Sequence, residues 1–102
     1  MTAEEKVLCR TPTPGKKPVR IDLWKFDTVR RAILQAVPIE GEGLLFKELA
    51  RHVESRLSAE DLAKLGSIGW YTTTVKLELE MRGEIKRIDG AVPQRLLRHH
   101  PS

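Results

Sequence analysis

A single cysteine, Cys9, leaves no partner for an internal disulfide, and neither a second cysteine nor a nearby histidine stands at a zinc-ligand spacing. Disulfide scaffolding and a metal centre are therefore not expected, and Cys9 lacks the neighbouring base that would activate its thiol. No apolar run approaches the roughly 20 residues of a membrane span, so no membrane association is expected. The opening stretch, Met1 to Lys6, has no apolar segment of the secretory kind, which makes the cytoplasm the expected compartment. Glycine-rich phosphate loops, nucleophile elbows and paired carboxylates are also missing. The expectation is a protein that is not an enzyme, with no catalytic residue, no cofactor and no evident small-molecule ligand.

What remains is an ordinary globular composition, 40% apolar and 31% charged, at a length that builds one core and not two. The formal net charge is +4, and it is unevenly spread. Residues 1–24 and 84–102 carry the excess of bases, whereas 58–83 carries one more acid than base. A surface for an anionic partner is thus expected at the two ends of the chain rather than in its middle.

Along the chain, residues 1–20 hold Pro12, Pro14, Gly15 and Pro18 among polar and basic residues and read as a flexible basic arm. A first helix is expected from Asp22, a candidate N-cap, with Phe26, Val29, Ile33 and Val37 on one face and Pro38 as its stop. Leu44 and Leu45 read as a short strand. A second helix runs from about Phe46 to Leu57, and a two-turn helix capped by Ser58 and closed by Gly66 spans Ala59 to Leu65.

The stretch from Trp70 to Arg82 can be read two ways. Val75, Leu77, Leu79 and Met81 alternate with Lys76, Glu78 and Glu80, which is a strand period. At about 100° per residue, however, Trp70, Thr74, Leu77 and Met81 share one narrow arc that Tyr71, Val75 and Leu79 extend, and Gly83 sits where a helix stop belongs. The helix-forming residues decide for a third main helix, its apolar arc inward and Thr72, Thr73, Lys76 and Glu80 outward. Glu78 then falls on the apolar side and needs a partner. After Gly83, Ile85 to Ile88, Asp89-Gly90 and Arg95 to Arg98 read as strand, turn and strand. The expected core is Phe26, Val29, Ile33, Leu49, Val53, Leu62, Trp70, Leu77, Met81 and Ile85.

This order of elements predicts a mainly α, α+β chain: a single winged helix-turn-helix domain over residues 21–98, with three main helices, one short connecting helix and a two-stranded wing. Residues 99–102 form a frayed tail. The run Gly69-Trp70-Tyr71-Thr72-Thr73-Thr74-Val75-Lys76-Leu77-Glu78-Leu79-Glu80, with Gly83, Ile85, Arg87 and Pro93-Gln94-Arg95-Leu96 after it, resembles a small family of uncharacterised bacterial winged-helix-like proteins. The resemblance extends from about Val19 to Arg98. It implies the winged-helix fold, with that run as the third helix, and carries over no catalytic residue.

Two functions are weighed from these elements. The first is double-stranded DNA binding and transcription regulation. Thr72, Thr73 and Lys76 would face the groove, Lys86, Arg87 and Arg95 would meet phosphates beside the wing, and Lys16, Lys17 and Arg20 would follow the backbone from the arm. Glu80 on the groove-facing arc would repel phosphate unless paired. The second is a protein partner or a homodimer, with Trp24, Trp70 and Tyr71 as interface anchors. Enzymatic pairings are weaker. Glu48 and His52 stand four apart on a helix, and His99-His100 lack a third ligand.

Overall fold

The structure is a computed structural model that describes residues 5–99. It is a mixed α+β fold of four α-helices and two small antiparallel sheets. Strands β1 (Lys6–Cys9) and β2 (Val19–Asp22) form a hairpin, with Lys6 opposite Asp22 and Cys9 opposite Val19. Helix α1 (Leu23–Ala36) follows, then β3 (Leu44–Leu45), a 3₁₀ turn (Phe46–Glu48) and α2 (Leu49–Glu54). Helices α3 (Ala59–Leu65) and α4 (Ile68–Met81) precede β4 (Ile85–Arg87) and β5 (Arg95–Arg98).

The hairpin corrects the expectation of a flexible arm over residues 1–20, of which residues 1–4 lie outside the described residues. Its strands are only four residues long, too short to register as a period, yet they alternate. Cys9 and Ile21 point into the core at 3% exposure each, while Leu8 and Arg20 lie opposite each other on the outer side. The backbone N–H of Leu23 donates to the Glu5 carbonyl at 2.9 Å, so the pairing runs directly into the start of α1. Asp22 occupies the N-cap position of α1, but its carboxylate turns to Lys6 and makes no capping bond.

Two later caps work through their side chains. Ser58 Oγ accepts from the Asp61 N–H at 3.0 Å, and Ser67 Oγ accepts from the Trp70 N–H at 3.1 Å. Ser67→Ala is expected to cost about 1 kcal/mol, read as a lowered urea midpoint with unchanged slope. A midpoint equal to that of the parent would show that water replaces the hydroxyl. Helix α4 closes in a Schellman turn at Gly83 (φ 78°), with Gly83 N–H donating to Glu80 O and Glu84 N–H to Leu79 O.

β3 joins the last two strands, so the sheet has three strands in the order β3-β5-β4 rather than two. Gly43, at φ 78°, makes this possible. A Cβ there would lie 2.6 Å from the Leu96 carbonyl oxygen of β5.

The core gathers Phe26, Val29, Ala32, Ile33 and Val37 of α1 and its C-cap with Leu49, Val53, Leu65, Val75, Leu79, Ile85 and Leu96. Four expected members are outside it. Trp70 is 48% exposed and Met81 42%, and Leu62 and Leu77 are only partly buried. The segment is helical as expected, but it is rotated. Val75, Leu79 and Thr72 face inward, and the Trp70, Thr74, Leu77, Met81 arc faces out. Both arcs are apolar, and the inward one is the one whose β-branched and aliphatic side chains fit between α1 and α2.

Candidate nucleic-acid interface

The rotation of α4 decides the fate of the predicted site. Thr72 and Lys76, expected in the groove-facing arc, are each 1% exposed, and the Thr72 hydroxyl has no partner among the described residues. These two cannot touch a ligand. Thr73 alone of the three is exposed.

Lys76 is instead a buried structural cation. Its ammonium lies against Glu80 Oε2 and 4.5 Å from the centroid of the Phe46 ring. Burial lowers its pKa, with Glu80 opposing that shift. Arg87 Nε of β4 donates to the other oxygen of Glu80 at 2.9 Å. Arg87 thus anchors the β4 strand to α4, and Glu80 is neutralised from two sides.

Glu78, two residues earlier, does the same for the hairpin. It is 1% exposed and accepts from the Arg10 backbone N–H at 2.8 Å, from Arg10 Nε at 3.0 Å and Nη2 at 2.8 Å, and from Arg82 Nε at 2.8 Å. Burial pushes the carboxyl up, but the bonds from Arg10 and Arg82 outweigh it and hold its pKa down at about 2. Residues two apart on a helix are rotated by about 200°. Glu78 and Glu80 therefore fasten the hairpin and the β4 strand against opposite flanks of α4. Nearby, burial pushes the Cys9 thiol up to about 11, with Glu78 adding to that and Arg82 opposing it. Such a thiol is protonated and inert at neutral pH.

Between the flanks, the outward arc of α4 carries Trp70, Thr73, Thr74, Leu77 and Met81 and no cation. A groove of about 280 Å³ runs beside it, between α4 and the hairpin loop, and is lined by Lys16, Lys17, Thr13, Val19, Trp70 and Leu77 among others. Lys16 and Lys17 thereby line the same groove as Trp70, Thr74 and Leu77 of α4. Arg20 is exposed on the outer side of the hairpin, and Lys86 is exposed on β4. Arg95 reaches back to the carbonyls of Glu42 and Gly43 at 3.5 and 3.4 Å.

Sequence reasoning gave no functional role to Arg10 or Thr74 and, beyond the core, named Trp70 only as an interface anchor. Trp70 packs edge-to-face on Tyr71, with ring centroids 4.8 Å apart, and Lys25 Nζ lies 4.9 Å from the Tyr71 ring and bonds its hydroxyl at 3.2 Å. The signal was two apolar arcs on one helix, of which a chain this short can bury only one.

The weaker pairings dissolve. Glu48 turns to Arg51 at 3.7 Å rather than to His52. The His99 backbone N–H donates to Glu84 O at 2.9 Å, so the expected tail is tied at its first residue, while His100 lies outside the described residues. Among the described residues no cluster of three or more His, Cys, Asp or Glu could hold a metal ion, and no helix is long and apolar enough to cross a membrane. A second concavity, of about 350 Å³ between α1 and β5, is lined by Arg30, Arg31 and Arg98, but Arg30 is taken by Glu84 at 2.8 Å and Arg98 by the Val37 carbonyl at 3.2 Å.

Residues 6–96 match a family described as a family of unknown function (DUF6958), and the chain belongs to that family. The match begins at the first residue of β1, so the hairpin is part of the shared domain and not an appendage. No match was found among curated proteins or solved structures.

Proposed function

We propose that this member of a family of unknown function is a non-enzymatic winged-helix protein that binds nucleic acid through backbone phosphates. The winged-helix reading is supported by the order α1, β3, α2, α3, α4, β4, β5 and by the pairing of β3 with β5, which makes the β4–β5 connection the wing. One observation carries the nucleic-acid reading. The two carboxylates of α4 that would repel phosphate are both neutralised by arginines of the flanking elements, while Lys16, Lys17, Arg20 and Lys86 remain exposed on those elements, unpaired among the described residues. Neither Thr72 nor Lys76 has a part in it, and Arg87 acts as an anchor.

Titration against generic double-stranded DNA at several ionic strengths tests the reading. Affinity should fall steeply with salt, and the combined Lys16→Ala, Lys17→Ala, Lys86→Ala variant should flatten the log–log slope by up to about 3 with an unchanged circular dichroism spectrum. An unchanged slope, or no binding at low salt, would sink it. A second reading, a protein-interaction module or homodimer, is favoured by the exposure of Trp24 (37%), Trp70 (48%) and Met81 (42%). Sedimentation showing a concentration-dependent dimer without DNA affinity would select it.

A further inference from the structure

The outward arc of α4 has no guanidinium or amide to read base edges, yet it presents an aromatic ring beside two lysines. We infer that the groove between α4 and the hairpin loop receives one unpaired nucleotide, its base stacked on Trp70 and its phosphates on Lys16 and Lys17. This rests on the nucleic-acid reading above and assigns the part of the polymer that the site takes.

Three observations converge on that occupant. Trp70 is held in orientation by its edge-to-face contact with Tyr71 and still exposes 48% of its surface, which leaves the indole able to act as a platform. Leu77 and Val19 extend the apolar wall, so a flat base loses water on entering without leaving a buried donor or acceptor unmatched there. The polar lining is hydroxyl and cation: Thr11, Thr13 and Thr74 with Arg10, Lys16 and Lys17. None of the lining residues is acidic, and the carboxylate behind them, Glu78, is closed off by Arg10 and Arg82. An anion with a planar apolar face matches all of this, and a base within a duplex, both faces stacked, does not.

The chain has two tryptophans, so Trp24→Phe leaves Trp70 as the only indole. Titrating that variant with a short oligothymidine should give saturable quenching of Trp70 fluorescence. In the otherwise unchanged chain, Trp70→Ala should weaken single-strand binding on the order of tenfold, as loss of one stacked base does, while blunt duplex affinity stays the same and Trp70→Phe restores most of the loss. Salt-sensitive duplex binding with no quenching would overturn the inference and leave the phosphate reading intact. Absence of binding by either nucleic acid at low salt would remove both. Adenosine monophosphate binding as tightly as an oligonucleotide would overturn it in favour of a free-nucleotide site. Equal quenching by polyglutamate would do so in favour of an acidic polypeptide.

Discussion

Glu78→Gln is expected to destabilise the fold by about 2 kcal/mol at neutral pH, a fall in melting temperature of about 10 °C for a domain of this size. The amide keeps the shape of the carboxylate but presents an NH₂ where an oxygen now accepts from Arg10 or Arg82. The hairpin is fastened to α4 through that carboxylate, so the loss spreads to the packing of Cys9 and Ile21. The pH dependence separates this cause from a general loss of packing. Glu78 has an ordinary value of 4.5 and is held at about 2 in the fold. Its contribution is therefore complete above about pH 4.5 and is lost as the pH falls towards 2. Urea denaturation of parent and variant should show a gap at pH 7 that narrows by pH 3. A gap of equal size at both values, or none at pH 7, would mean that the pair is not what holds the hairpin.

Legibility in the sequence followed the length over which a signal could accumulate. Helix α1 was readable because Phe26, Val29, Ile33 and Val37 repeat over about three turns and Pro38 closes them. Helix α3 was readable from its two ends alone, Ser58 and Gly66, because capping and a left-handed stop are local chemistry. The hairpin was not, since two strands of four residues separated by three prolines offer no period, and what fixes them is a contact 68 residues away, between Arg10 and Glu78. The need for that contact was nevertheless visible. A carboxylate on the apolar side of α4 required a partner, and the start of the chain held one of its two surpluses of bases.

The candidate site was less legible than the fold because it depends on the rotation of one helix. Trp70, Thr74, Leu77 and Met81 form the narrower arc, and by amphipathicity alone they belong inside. They lie outside because Ile68, Val75 and Leu79 face α1 and α2, and because burying Lys76 is made tolerable by Glu80 and the Phe46 ring. No rule of spacing predicts that a lysine will be more buried than a tryptophan six residues before it. With the helix so rotated, Lys16, Lys17, Arg20 and Lys86 are exposed cations, whereas Lys76 of the helix and Arg87 of β4 are held by Glu80 and become architecture.

Lys76→Ala is the sharpest test of that division, with an expected cost of about 3 kcal/mol. Three methylenes and the ammonium leave a site that is 1% exposed, and Glu80 retains only Arg87 as counter-ion. Lys76→Met should recover part of the loss, because it refills the stem of the cavity without a charge to desolvate. A base-reading or phosphate-binding lysine would behave in the opposite way, with stability retained and affinity lost. The expected result is therefore a lowered denaturation midpoint together with unchanged nucleic-acid affinity per folded molecule, measured well below the midpoint. Loss of affinity in a fully folded Lys76→Ala protein would return this residue to the binding face and, with it, turn α4 back to the orientation its amphipathicity suggests.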